Sequence, residues 1–367
     1  MKLSHLLMRP VLFAGLVLLG ACSRSVSAPG PVNEYAMGTV CTVNLFEKGK
    51  PELYRKVFDR YRELEDILSA NKDGTDLDTV NRNAGVAPVK VRPELITVLD
   101  KALVYAEKSG GFFDPSIGPL VKLWGIGTAR AHIPGGDEIR KALTMVNYRD
   151  VEIDREKGTV YLKRPGMALD LGGIAKGYAA DEAVRILAEN GIDRAIIDLG
   201  GNVFAMGERS VKKNLGDTLK NLIPGGENKK TAGDESYWRV GIQDPRESRG
   251  NYLGILRVIN QTVVTSGVYE RYFEEGGKRY HHILSVETGF PVDTGLLSVT
   301  VVSDKSIDAD ALSTAAFALG WPRGRDLLAS IPGVRGIFVY DDMSVHLTAG
   351  LEKDFTLTAA EYHLAND

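Results

Sequence analysis

Apolar residues recur along this chain with two different periods, and the changes of period mark out its elements. Residues 35–46 alternate with the period of two expected of a half-buried strand. From Pro51 to Leu68 the apolar positions (Leu53, Val57, Tyr61, Leu64, Leu68) fall at helical spacing, which predicts a helix with a charged outer face. A polar loop over 69–87 precedes a second amphipathic helix from Pro93 to Ser109. Residues 110–121 are rich in turn formers yet strongly apolar, as a packed segment would be. A helix over 137–146 and a hairpin pairing 150–154 with 159–163 follow.

The run Met167-Ala-Leu ends in Asp170, crosses two glycines and enters a helical stretch reaching about Asn190. That pattern predicts a strand, a tight turn and a helix N-terminus. Ala195 to Gly207 reads as a buried strand broken by Gly200-Gly201. Over 209–236 Lys, Asn, Gly and Asp replace the apolar pattern, which predicts a flexible surface insertion. Strand signals return at 238–242, 253–259, 262–265, 279–285 and 296–302. Helices are predicted over 308–318 and 322–330, and a last hairpin over 335–347. Such irregular alternation predicts an α+β fold: a single domain over 34–367 with mixed or antiparallel sheets and packed helices.

The N-terminus adds a processing signal. Lys2 and Arg9 precede an apolar run that closes on Leu19-Gly-Ala-Cys22, so residues 1–21 read as an export signal too short to span a bilayer. Leu-Gly-Ala-Cys resembles the bacterial lipobox, with Cys22 acylated and residues 22–33 serving as a tether. The other reading is a cleaved signal with an incidental cysteine. Lipid on Cys22 would anchor the protein to a membrane without spanning it. The second cysteine, Cys41, lies in the alternating strand and reads as a small buried residue. A net charge of −3 and the lack of a basic stripe argue against nucleic acid as a partner.

Three clusters could carry chemistry. In Asp170-Leu-Gly-Gly-Ile-Ala-Lys-Gly the glycines allow close backbone approach, the helix start favours anions, and Lys176 suits phosphate. Neither G-x-x-x-x-G-K-[ST] nor G-x-G-x-x-G fits, so a plain strand-to-helix turn stays open beside a phosphate site. In Asp308-Ala-Asp-Ala-Leu-Ser-Thr314, Asp310 and Thr314 share a helical face and can offer hard oxygens to Mg²⁺. The alternative makes Asp308 an N-cap and Asp310 a first-turn acid. Of His281 and His282 one should point inward; their surroundings do not suit zinc, leaving a general base or a satisfied core histidine.

Eight segments in order resemble the ApbE family of flavin transferases, FAD:protein FMN transferases found as bacterial lipoproteins. They are Met37-Gly-Thr, Phe112-Phe-Asp-Pro-Ser-Ile-Gly-Pro-Leu-Val, Asp170-Leu-Gly-Gly-Ile-Ala-Lys-Gly-Tyr, Gly200-Gly-Asn, Val240-Gly-Ile-Gln-Asp-Pro, Thr265-Ser-Gly-Val-Tyr, His282-Ile-Leu with Thr288-Gly-Phe-Pro, and the Asp308–Thr314 cluster. The resemblance implies Mg²⁺-dependent cleavage of FAD, transfer of FMN to a Thr or Ser hydroxyl of acceptor proteins such as membrane redox subunits, and release of AMP. It implies an FAD site at Met37, Phe112, Phe113, Asp114, Asp170, Lys176 and Leu284. The metal would be held by the Gly173 carbonyl, Asp310 and Thr314, with His282 deprotonating the attacking hydroxyl. Two positions depart from the family. Gly173 stands where Ala is common, and Asn71 stands where a flavin-stacking tyrosine is common. The second departure leads us to expect FAD hydrolysis to FMN and AMP. A periplasm-facing, lipid-anchored location, with the inner membrane favoured, is implied as well. The alternative class is a non-catalytic flavin-binding or scavenging lipoprotein.

Overall fold

Leu296-Leu-Ser-Val-Thr-Val-Val-Ser303 is apolar or small throughout, which suits a strand covered on both faces. The structure, a computed structural model, describes residues 30–47, 51–209 and 236–365. The export signal, Cys22, most of the tether and nearly all of the expected insertion lie outside the described residues. Strand Leu296–Ser303 (β13) sits near the middle of a nine-stranded sheet. From one edge its members are Val32–Ala36 (β1), Thr39–Leu45 (β2), Ala195–Leu199 (β6), Asn202–Met206 (β7), Gln261–Gly267 (β10), β13, Arg335–Tyr340 (β14), Ser344–Leu347 (β15) and His363–Leu364 (β17). All its pairings are antiparallel except β15 with β17.

Alternate side chains explain the layers. Val264, Val299, Val301 and Phe338 join helices Pro51–Leu68 (α1), Ala175–Glu189 (α6) and Ser306–Leu319 (α7) in the main core. Their neighbours Val263, Val302, Ile337 and Val339 point the other way. There they pack on a three-stranded sheet of Phe355–Leu357 (β16), Tyr252–Val258 (β9) and Trp238–Gln243 (β8). Helices Asp76–Arg82 (α2), Pro93–Lys108 (α3), Gly118–Trp124 (α4), Gly136–Leu143 (α5) and Arg323–Ala329 (α8) surround these layers. A small sheet of Val89–Lys90 (β3), Thr159–Leu162 (β5) and Val151–Asp154 (β4), the hairpin of Tyr272–Glu275 (β11) with Lys278–His281 (β12), and a 3₁₀ turn at Tyr148–Asp150 complete the described elements. The α+β expectation holds.

Several boundaries differ from the expectation for identifiable reasons. The single strand expected over 35–46 is a hairpin, because Met37 and Gly38 both adopt left-handed φ and close a two-residue turn. Residues 167–169 run extended but make only one bridge, Ala168 with Ile117. Asn81 clamps that segment instead, accepting from Leu169 N–H and donating to Leu169 C=O. The polar loop holds the unforeseen helix α2, capped by the Thr75 hydroxyl on Asp78 N–H. Helix α7 starts at Ser306, two residues before the expected Asp308. Asp308 is therefore not its N-cap; it pairs with Lys101 at 2.9 Å. Cys41 is buried as expected, with burial pushing its thiol up to about 12.

Candidate active site

Helix α7 is apolar almost all round, so its few polar residues stand out. Ser306, Asp310, Ser313 and Thr314 fall at i, i+4, i+7 and i+8, one face of the helix. That face meets the N-terminus of α6 and strand β10. The Asp310 carboxylate is buried and accepts from Gly177 N–H at 2.9 Å, 133 residues away in the chain. Its second oxygen lies 3.6 Å from the Lys176 ammonium, which also donates to Gly172 C=O at 3.1 Å. In return Asp181 of α6 accepts from Ser306 and Ile307 N–H at 2.9 and 3.0 Å, closing the N-terminus of α7. Burial raises the Asp181 carboxyl against the pull of those two N–H groups. Each helix thus supplies the carboxylate that the other's first turn requires.

Gly173 sits against this pair. A Cβ on it would lie 3.2 Å from the Thr314 hydroxyl and 3.3 Å from the Phe113 ring. Ser266 of β10 hydrogen-bonds Ser313 at 2.9 Å and Thr314 at 3.3 Å, and the Thr314 hydroxyl also reaches the Asp310 carbonyl at 3.4 Å. The turn before Gly173 is pinned twice: Asp170 N–H donates to Pro115 C=O, and the Asp170 carboxylate accepts from Gly172 N–H. Phe113, Asp170, Gly173, Lys176, Asp310 and Thr314, scattered in the chain, are therefore gathered in one place.

Other expected site residues are placed differently. Asp114 is buried and fully engaged, accepting from Ser116 N–H, the Ser116 hydroxyl and Tyr148 N–H. It shapes the loop beneath Phe112 and Phe113. The Arg323 guanidinium lies 4.3 Å over the Phe112 ring. Leu284 packs with Leu120, Trp124 and Ile139. Met37 occupies the β1–β2 turn, and Asn71 is exposed in the loop after α1. Among the described residues, none of these last three joins the hydrogen-bonded group around Asp310.

The two histidines separate cleanly. His281 ends β12 in the core, its Nε2–H donating to Val292 C=O and its Nδ1 accepting from Ile283 N–H, edge-on to Phe317. His282 follows the strand, and both its N–H and its Nδ1 meet the Arg271 carbonyl, at 3.1 and 3.2 Å. A carbonyl only accepts, so Nδ1 carries the proton and Nε2 keeps its lone pair. Desolvation first, then the charges of Arg271, His281 and Lys176, hold His282 well below the usual imidazole range. Lys176 thus acts on both His282 and Asp310. Both histidines bind protons more readily when the chain is unfolded. The stability this confers is present above about pH 6.5 and is lost as the pH falls towards the folded-state values.

A cavity of about 760 Å³, within the range of small-molecule sites, opens along the segment that leads into Arg271. Gln243, Arg249, Tyr269 and Glu270 line it. Burial raises the Glu270 carboxyl, countered by Arg249, Lys176 and Arg271, so Glu270 joins the cavity to the Lys176 side.

The model of the ApbE family matches residues 37–338. The chain belongs to the ApbE family. It is 40% identical over 327 residues to the FAD:protein FMN transferase of Treponema pallidum (strain Nichols), covering 87% of this chain and 86% of that one. To a FAD:protein FMN transferase of Klebsiella pneumoniae (strain 342) it is 34% identical over 313 residues, covering 85% and 90%. The solved ApbE protein of Thermotoga maritima MSB8 superposes with a TM-score of 0.75 at 27% identity, over 88% of this chain and 98% of that one.

Within this ApbE protein, sequence reasoning passed over Asp181, Ser266, Ser306 and Arg271. Asp181 lies one helical turn beyond the glycine-turn segment already singled out, and Ser306 extends the polar face of Asp310 by one turn. Those two carried a readable signal. Ser266 was read only as part of the Thr265-Ser-Gly-Val-Tyr segment and Arg271 not at all, because their importance lies in what β10 and the β11–β12 hairpin place beside them.

Proposed function

We propose that this protein cleaves the pyrophosphate of FAD and passes FMN to a Thr or Ser hydroxyl of an acceptor protein, releasing AMP. The observation that carries this is the buried Asp310 carboxylate meeting the glycine turn and Lys176 at the crossing of two helix N-termini. The names of the Treponema and Klebsiella relatives support the same reading.

The donor set fits a divalent cation. One Asp310 oxygen is spent on Gly177 N–H while the other faces only an ammonium, and the half-buried Thr314 hydroxyl lies alongside Gly173. We assign Asp310, Thr314 and the Gly173 carbonyl to Mg²⁺, which accepts few protein ligands. When bound it supplies charge neutralisation to the pyrophosphate. The chain's own residues do the rest. Lys176 offers a second positive charge at the glycine turn, and His282 Nε2 takes the proton of the attacking hydroxyl. The hydroxyl oxygen bonds to the FMN phosphorus as the bond from that phosphorus to the bridging oxygen breaks, and AMP leaves carrying the bridging oxygen. Purified protein with FAD and Mg²⁺ should release AMP, and chelation should stop it. AMP release that is absent with metal, or unchanged by chelator, overturns the reading.

Because His282 is held neutral, the acid limb of the kcat/KM profile should fall below about pH 6.5, the ordinary imidazole value. A limb at or above that value would exclude His282 as the base. Asn71 favours a hydrolytic side reaction, since an exposed amide cannot stack on a flavin ring. AMP should therefore appear without any acceptor protein. Asn71→Tyr should slow flavin dissociation about tenfold, and unchanged retention in stopped-flow displacement would count against the stacking role. On the sequence signal alone we also propose a lipid anchor at Cys22 and a periplasm-facing location. A Cys22→Ala protein should then leave the membrane fraction.

A further inference from the structure

Arg271 joins β10 to the β11–β12 hairpin, and its two ends do different work. Its carbonyl holds His282, as described above. Its side chain crosses two glycines. The Cδ lies 3.2 Å from where a Cβ on Gly127 would stand, and a guanidinium nitrogen lies 3.8 Å from where a Cβ on Gly172 would stand. A side chain at Gly127 would crowd this path, and Gly127 is further committed by its left-handed φ of +84°; at Gly172 the guanidinium sits at ordinary contact distance. Among the described residues no carboxylate forms an ion pair with Arg271, although it is exposed and charged. Its neighbour in space, Lys176, is by contrast already engaged with Asp310 and Gly172. An arginine whose stem is seated against Gly127, and whose fork is left open beside the glycine turn at a helix start, is arranged for an anion with paired oxygens.

Resting on the FAD reading above, we propose that the Arg271 guanidinium is an anchor for the FAD pyrophosphate, gripping it over the Gly172–Gly173 turn. Tying this grip to the residue whose carbonyl sets the His282 tautomer places base and phosphate in register. The same cation lies among the charges that face His282, with His281 and Lys176, so it also helps to keep that ring neutral.

Binding of FAD and of riboflavin, which lacks phosphate, is measured by fluorescence in chelator, where no turnover occurs. In Arg271→Met the Kd for FAD should rise about tenfold to a hundredfold, while riboflavin binding stays unchanged. Arg271→Lys should fall between, keeping the charge but losing the fork. With metal restored, the acid limb of kcat/KM should move up in Arg271→Met and stay in place in Arg271→Lys. Equal weakening of FAD and riboflavin, or weakening of neither, overturns the anchor. If the methionine variant does not fold, the lysine variant decides: a Kd for FAD equal to wild type overturns the proposal. Failure of the unaltered protein to bind FAD or release AMP would instead sink the transferase reading.

Discussion

An Asp310→Asn protein should fold normally and lose FAD cleavage by about three orders of magnitude. The amide oxygen of asparagine can still accept from Gly177 N–H, so the cap on α6 survives. The negative charge does not, and with it goes the attraction for Lys176 and for a divalent cation. Charge stabilisation by a metal is worth several kcal/mol, and each 1.36 kcal/mol is tenfold in rate, hence a loss of ~10³. AMP release at saturating Mg²⁺ provides the activity, and thermal melting checks the fold. Activity above a tenth of wild type would show that this carboxylate does not hold the metal. Asp310→Ala should lose the same activity and also about 1 kcal/mol of stability, because Gly177 N–H is then left without its acceptor.

Gly177→Ala should be the most damaging small substitution at the crossing of α6 and α7. A Cβ at Gly177 would stand 2.2 Å from the Ser306 carbonyl oxygen, 2.6 Å from its carbon and 2.7 Å from Ile307 Cα. These are backbone atoms, so no side-chain rotation relieves the clash. The helices would have to part, pulling Asp181 from Ser306 and Ile307 and Asp310 from Gly177. Helix propensity alone favours alanine over glycine by about 1 kcal/mol, so the expected sign is opposite to that of an open helical site. Overpacking should cost about 3 kcal/mol, and calorimetry should find Tm lowered by roughly 6 °C. An unchanged or higher Tm would mean that the helices do not cross this closely.

Legibility in the sequence followed the strength of local periodicity. Helix α1 was bounded at Pro51 and Leu68 because its apolar residues repeat over five turns. The break at Gly200-Gly201 was read as an interruption of one buried strand; in the structure both glycines take positive φ and turn the run back on itself as the β6–β7 hairpin. The Met37–Gly38 turn was missed because a non-glycine residue takes the left-handed conformation there, against its own preference. The 279–285 strand was misplaced because hydrophobicity marks burial rather than pairing. The strand proper ends at His281, and Ile283 and Leu284 pack without joining it.

The chain's own letters determined the antiparallel-rich α+β class, the glycine turn, and the pairing of Asp310 with Thr314 on one helical face. Each of these follows from spacing within about ten residues, which backbone geometry converts directly into shared faces and turns. Tertiary structure alone decided which of the acids serve packing and which stay open to chemistry. The buried Asp114 and the half-buried Asp181 are acids like Asp310, yet in each of them both carboxylate oxygens accept from backbone N–H groups. Asp310 keeps one oxygen for Lys176 only because α6 and α7 cross where Gly177 lets them touch. That crossing is set by the sheet beneath both helices, and no local pattern around residue 177 or 310 encodes it.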